Sequence, residues 1–135
     1  MDQRMKGYLI DTNILIYYFA GIIPAKENEN LEHILKTSFN VSIITKIEFL
    51  GWGKHTDEGY KKAKEFISFA HTIFLNNKMA NLTINIRRKN KIKLPDAVIA
   101  ATALSNNMIL VTRNDKDFRG VEELEIYSPF KLNDG

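Results

Sequence analysis

Apolar positions along the chain fall into short runs, and the spacing switches between two periods. Tyr8-Leu9-Ile10 is an apolar run that stops at Asp11, as a short buried strand does. Ile14, Leu15, Tyr17, Tyr18 and Phe19 then recur at helical spacing and predict a helix over about 13–20. Gly21 and Pro24 break that pattern. Leu31, Ile34 and Leu35 share one face of a helix predicted over 28–37, and residues 40–44 read as a second strand. A helix starting at Thr45 runs to Gly51 and Gly53. Tyr60, Ala63, Phe66, Ile67 and Ala70 form the buried stripe of a helix over 57–70. Residues 71–75 make a third strand, and Met79, Leu82, Thr83 and Ile86 mark a helix over 78–90. Leu94-Pro95-Asp96 opens another helix, because proline is favoured in the first turn. Its alanines, Ala97, Ala100, Ala101 and Ala103, keep it thin enough to pack closely. Residues 108–111 and 124–127 complete the strands, and Ser128-Pro129 ends the last.

Short apolar strands alternating with helices predict a three-layer α/β/α fold with a central, mostly parallel sheet. There is no repeat, linker or low-complexity segment, so one domain covers 1–135, with 1–4 and 131–135 loose. In such a sheet the carboxyl ends of the strands share an edge with the starts of the following helices, and ligands bind along it. Asp11 follows the first strand. Glu48 falls in the first turn of the helix after the second. Asp96 lies in the first turn of the alanine-rich helix, and Asn114, Asp115 and Asp117 follow the fourth strand.

Each of these residues also has a plainer reading. Asp11 suits a helix N-cap. Thr45 and Glu48 have the spacing of a capping box, in which Glu48 bonds the backbone of Thr45. Asp96 complements the positive end of its helix, and Asn114 suits a turn. Their joint placement argues for more. Carboxylates brought together repel unless a cation or a shared proton intervenes. Oxygen ligands suit Mg²⁺ or Mn²⁺, and such an ion activates water and stabilises charge on a phosphate and its leaving oxygen.

Composition narrows the chemistry further. At 135 residues, 44% hydrophobic and 26% charged, the chain is ordinary for a globular protein with a real core. It has no cysteine, which excludes disulfides, thiolate metal sites and cysteine nucleophiles and fits a reducing cytoplasm. The N-terminal stretch lacks the apolar core of a signal peptide, and Met5-Lys6 offers an alternative start. The apolar run from Ile14 to Ile23 is too short to span a bilayer, so no membrane association is expected. The net charge of +3 is mild, but Arg87, Arg88, Lys89, Lys91 and Lys93 follow one another with no acid between them. That run is either a solvated helix end or, with Arg113, a contact for nucleic-acid phosphates.

Four stretches in order, DTNILIYY from Asp11, SIITKIEFL from Ser42, LPDAVIAATAL from Leu94 and LVTRNDKDF from Leu110, resemble the PIN domain. The nearest likeness within it is to VapC-type toxin ribonucleases. The resemblance spans most of the chain and implies a Mg²⁺- or Mn²⁺-dependent endoribonuclease acting on structured RNA such as tRNA or rRNA. It also implies a cognate antitoxin that wraps the toxin near its active site, and a homodimer. By motif, Asp11, Glu48 and Asp96 match the three acidic, metal-holding positions. The fourth catalytic position falls on Asn114, with Asp115, Asp117 or a water completing the set. Thr12, Asn13, Thr45 and Thr112 look like groups that orient the carboxylates.

Other readings stay open. His33, His55 and His71 raise a metal-free ribonuclease chemistry, but nothing in their spacing pairs them. Trp52, Tyr17, Tyr18 and Phe19 read as core packing or as an apolar surface for a partner. Asn114 in place of an acid keeps alive a catalytically weak module that binds RNA or protein. A phosphoacceptor domain would want paired acids at the first strand and a lysine after the last, and neither is clear.

Overall fold

The side chains of the first strand alternate between two faces: Tyr8 and Ile10 pack into one hydrophobic core and Leu9 into another. That is the two-residue period of a strand with apolar layers on both faces. A computed structural model describes residues 6–129, so the expectation of loose ends at 1–4 and 131–135 lies outside the described residues. The elements are β1 (Tyr8–Ile10), α1 (Thr12–Ala20), α2 (Ala25–Thr37), β2 (Asn40–Ser42), α3 (Ile43–Leu50) and α4 (Asp57–Ile67). Then come β3 (His71–Ile73), α5 (Asn77–Lys89), α6 (Leu94–Ser105), β4 (Ile109–Val111), α7 (Asp115–Phe118) and β5 (Ile126–Tyr127).

The five strands pair in parallel in the order β3-β2-β1-β4-β5. The chain winds outward from β1 through β2 to β3, then returns to place β4 on the other side of β1. Ile10 sits opposite Val111 in that central pair. The strand order therefore reverses between β1 and β4, and a crevice opens outside their carboxyl ends. Asp11 and Thr112 are the first residues beyond those ends.

Helices cover both faces. Ile14 and Leu15 of α1, Leu31 and Ile34 of α2, Phe49 of α3 and Ile67 of α4 fill one core with Ile10, Val41 and Val111. Ile86 of α5, the alanines of α6 and Phe118 of α7 fill the other with Leu9 and Leu110. Every residue of α6 from Ala97 to Ala103 is buried. A helix enclosed on all sides needs small side chains to let its neighbours approach, and its alanines provide that. Among the described residues no helix is long and apolar enough to cross a membrane.

Several boundaries differ from the pattern: α4 ends at Ile67, β3 ends at Ile73 and β5 begins only at Ile126. The second strand ends at Ser42, not at Ile44, because the Ser42 hydroxyl accepts from the Ile44 N–H at 3.1 Å and starts α3 there. Helix α2 begins at Ala25, directly after Pro24. The short α7 was not foreseen, since four residues with one apolar anchor carry no periodicity.

Candidate active site

Asp11 closes β1 and N-caps α1. It is 4% exposed, and both its carboxylate oxygens are engaged. The Thr12 N–H donates to Oδ1 at 2.8 Å, and the Thr112 hydroxyl donates to Oδ2 at 2.6 Å. Thr112 in turn accepts the Asn114 N–H at 3.0 Å, which ties the start of α7 to the same point. A conventional N-cap side chain reaches the second or third N–H of its helix. This one takes only the first and turns its other oxygen to the end of β4.

Glu48 is not a capping residue, which corrects the box read at Thr45 and Glu48. Ser42 caps α3, so Glu48 falls in the second turn rather than the first. Its Oε1 accepts the Thr12 hydroxyl at 2.7 Å. The Thr12 and Thr45 hydroxyl oxygens lie 3.0 Å apart. Thr12 has one proton and gives it to the carboxylate, so Thr45, fully buried, supplies the proton of that second bond. Asp96 is in the first turn of α6, as expected, and is half-buried.

These three acids line one cavity of about 320 Å³ with Thr12, Asn13, Ile16 and Trp52. Burial pushes the Asp11 carboxyl up to about 6, and the charges of Asp96 and Glu48 push the same way. The Thr112 and Thr12 hydrogen bonds partly offset this. Burial also raises Asp96, followed by the charges of Asp117 and Glu48, while Lys93 pulls it down. Among the described residues no three acids or histidines are gathered into a ready set of ligands. Mutual repulsion of like charges favours that spacing. The donor chemistry nevertheless fits a hard divalent cation: three carboxylates, and the Asn13 Oδ1, buried on the same cavity wall without a hydrogen-bond partner. A buried oxygen left unpaired is costly, and a cation would satisfy it.

The candidates after β4 separate. Asn114 is exposed and lines none of this cavity, and Asp115 faces a different one beside Phe118 and Arg119. Asp117 is the residue of the three whose charge reaches Asp96. The basic run divides too. Arg87, Arg88, Lys91 and Lys93 line a cavity of about 660 Å³ with Ile84, Asn90 and Ile92. Lys89 lines another, with Glu122 and Glu123. Arg113 lies over the Tyr17 ring at 4.8 Å, apart from both. No histidine lines the acidic cavity: His33 and His71 are exposed on α2 and β3, and His55 sits among aromatic rings. Tyr17, Tyr18 and Phe19 pack against the first core. Trp52 belongs to neither core and lines the cleft, a placement that an aromatic following a glycine at a helix end does not announce.

Comparison with known proteins agrees with this fold. A curated Ribonuclease VapC of Rickettsia bellii (strain RML369-C) is 27% identical over 130 residues, covering 89% of this chain and 94% of its own. A toxin–antitoxin complex from Klebsiella pneumoniae contains a chain 30% identical, with a TM-score of 0.77 over 92% of this chain and 98% of that one. The VapBC2 structure from Rickettsia felis, bound to a promoter DNA fragment, matches at 25% identity and a TM-score of 0.76, covering 90% and 97% of the two chains. The family model for the PIN domain matches residues 8–124, a span that holds β1, β4 and all the acids of the cleft, and the chain belongs to the PIN domain family.

Proposed function

We propose that this protein is a divalent-metal-dependent endoribonuclease, the toxin of a toxin–antitoxin pair, acting as one nuclease domain over the whole chain. The observation that carries the reading is the convergence of Asp11, Glu48 and Asp96 on one cavity at the point where the strand order reverses. PIN-domain nucleases generally use divalent metal ions, and the Rickettsia bellii relative is named a ribonuclease. Asp11, Glu48 and Asp96, with Asn13 Oδ1, would hold Mg²⁺ or Mn²⁺. The bound ion supplies activation of water and stabilisation of charge on the phosphate.

The chain's own residues do the positioning. Thr112 holds Asp11, Thr12 holds Glu48, and Thr45 holds Thr12. Asp117 adds negative charge beside Asp96, in the role that Asn114 cannot fill. Lys93 links the acidic cavity to the basic one, because its charge is felt at Asp96 while its side chain lines the cavity of Arg87, Arg88 and Lys91. RNA phosphates track across that surface, and structured RNA such as tRNA or rRNA is the substrate. The antitoxin assignment rests on the toxin–antitoxin complexes among the structural relatives. Homodimerisation is supported by apolar side chains left exposed, such as Phe69 and Phe74.

The test is incubation of total RNA with the purified protein and Mn²⁺, beside Asp96→Asn protein of equal stability. Cleavage by the parent and a collapse in the variant are expected. Equal cleavage by both removes Asp96 from the chemistry.

A further inference from the structure

We propose that Trp52 is the platform on which one unpaired base of the RNA lies, next to the phosphate held at the acidic cleft. The inference rests on the ribonuclease reading and adds a specificity-determining residue to it.

Carboxylates and a cation recognise phosphate and water, and they carry no information about bases. Yet the wall of this cavity is partly apolar, made by Ile16 and Trp52. Trp52 follows Glu48 by four residues, one turn beyond, where Gly51 ends α3. It packs into neither core and is half-buried, so its indole is not there to fill the interior. It is nonetheless held. Its ring meets the His55 ring at 5.1 Å and 84°. His55 is fixed in turn, because Nε2 lies 2.8 Å from the Phe49 carbonyl, which can only accept, so that nitrogen carries a proton and donates. Phe19, Phe49 and Tyr60 surround the same imidazole. A rigid indole beside a phosphate-binding site loses little freedom when a flat ligand stacks on it. Unpaired RNA bases are bound in this way, by stacking on aromatic side chains, with little demand on base identity. The cut is therefore placed in an unpaired stretch of the structured substrate.

Trp52 is the chain's one tryptophan, so its emission reports the stack directly and without any cleavage. The full-length protein is titrated at low salt with Mg²⁺ present, and read before turnover, with a short single-stranded RNA and with the same sugar-phosphate chain lacking bases. Anisotropy of end-labelled chains measures binding. RNA should quench Trp52 emission, and the base-free chain should bind without quenching. Trp52→Ala should lower RNA affinity roughly 5- to 150-fold, the range for loss of one base stack, and should bind the base-free chain as the parent does. Trp52→Phe, which keeps a ring and carries less risk to folding, should recover most of the loss.

Unchanged emission at saturating RNA, or parental RNA affinity in Trp52→Ala, would overturn the proposal and leave the wall to a protein segment. Either result leaves the nuclease reading standing. Absence of RNA binding by anisotropy would overturn the proposal as well, while the nuclease reading is tested separately by cleavage of total RNA.

Discussion

Thr12 donates its hydroxyl proton to Glu48 at 2.7 Å, bridging the start of α1 and the second turn of α3. Asp11, the residue before Thr12, is fixed from the far side by Thr112 at 2.6 Å. Two threonines from two strand ends thus orient two carboxylates whose like charges repel each other.

Replacing Thr12 by valine keeps the shape and removes both hydrogen bonds. The buried Thr45 hydroxyl then loses its partner, which costs about 1–3 kcal/mol of stability. Glu48 loses its support, so RNA cleavage should fall further than stability does. Thr12→Ser should restore both. Denaturant unfolding and cleavage on the same preparations check this, and a valine protein with full activity would reduce the bond to packing.

Asp11→Asn separates a cap from a charge under strain. The Asp11 carboxyl is raised from 3.8 to about 6 by burial, so folding favours its protonated form more than the unfolded chain does. Its stabilising contribution is fully present below 3.8 and is lost as pH rises through about 6. Near pH 7 in chelator, Asp11→Asn should therefore be more stable than the parent by about 3 kcal/mol at most. The gain should fade towards pH 4. A loss of about 0.5–2 kcal/mol at both pH values would mark Asp11 as a plain cap.

The sandwich of helices around parallel strands was legible because its signals are local. Runs such as Tyr8-Leu9-Ile10 and the alanine spacing of α6 each report their own burial. The three acids were legible as a set through their motifs, and all three line one cavity. Strand order was not legible, because parallel pairing joins segments far apart and leaves no mark on either. The plainer reading of Glu48, as a capping residue, failed for a related reason. Its spacing from Thr45 mimics a capping box, while its actual partner, Thr12, lies 36 residues away. Trp52 stayed open between core and partner surface because nothing local distinguishes an indole that lines a cleft from one that fills a core.

Glu48→Gln should fold like the parent, since its amide oxygen still accepts from Thr12. It lacks the charge that holds a hard cation. Added Mn²⁺ should stabilise the parent, by about 2.7 kcal/mol at a hundred times the dissociation constant. The variant should show little of that thermal shift. An undiminished shift would remove Glu48 from the metal site.

The basic cavity should bind phosphate rather than bases. Neutralising Arg87, Arg88 or Lys91 should weaken binding to many RNAs alike, each flattening the log–log salt slope by roughly 0.7 to 0.9. Among the described residues none of the three makes an ion pair, so little folding stability is at stake. Lys89→Ala, on the separate cavity beside Glu122 and Glu123, should change the slope least. Equal slopes for all four variants and the parent would leave the run as a solvated helix end.

The proposal is that Asp11, Glu48 and Asp96 would hold a divalent cation, which would activate the water that cleaves RNA. Mapping the ends of the products formed with Mn²⁺ and with chelator tests it most directly. Attack by water requires 5′-phosphate and 3′-hydroxyl ends, and chelator should abolish them. Cyclic-phosphate ends formed equally well in chelator would mean that the 2′-hydroxyl attacks without a metal, and would contradict the account.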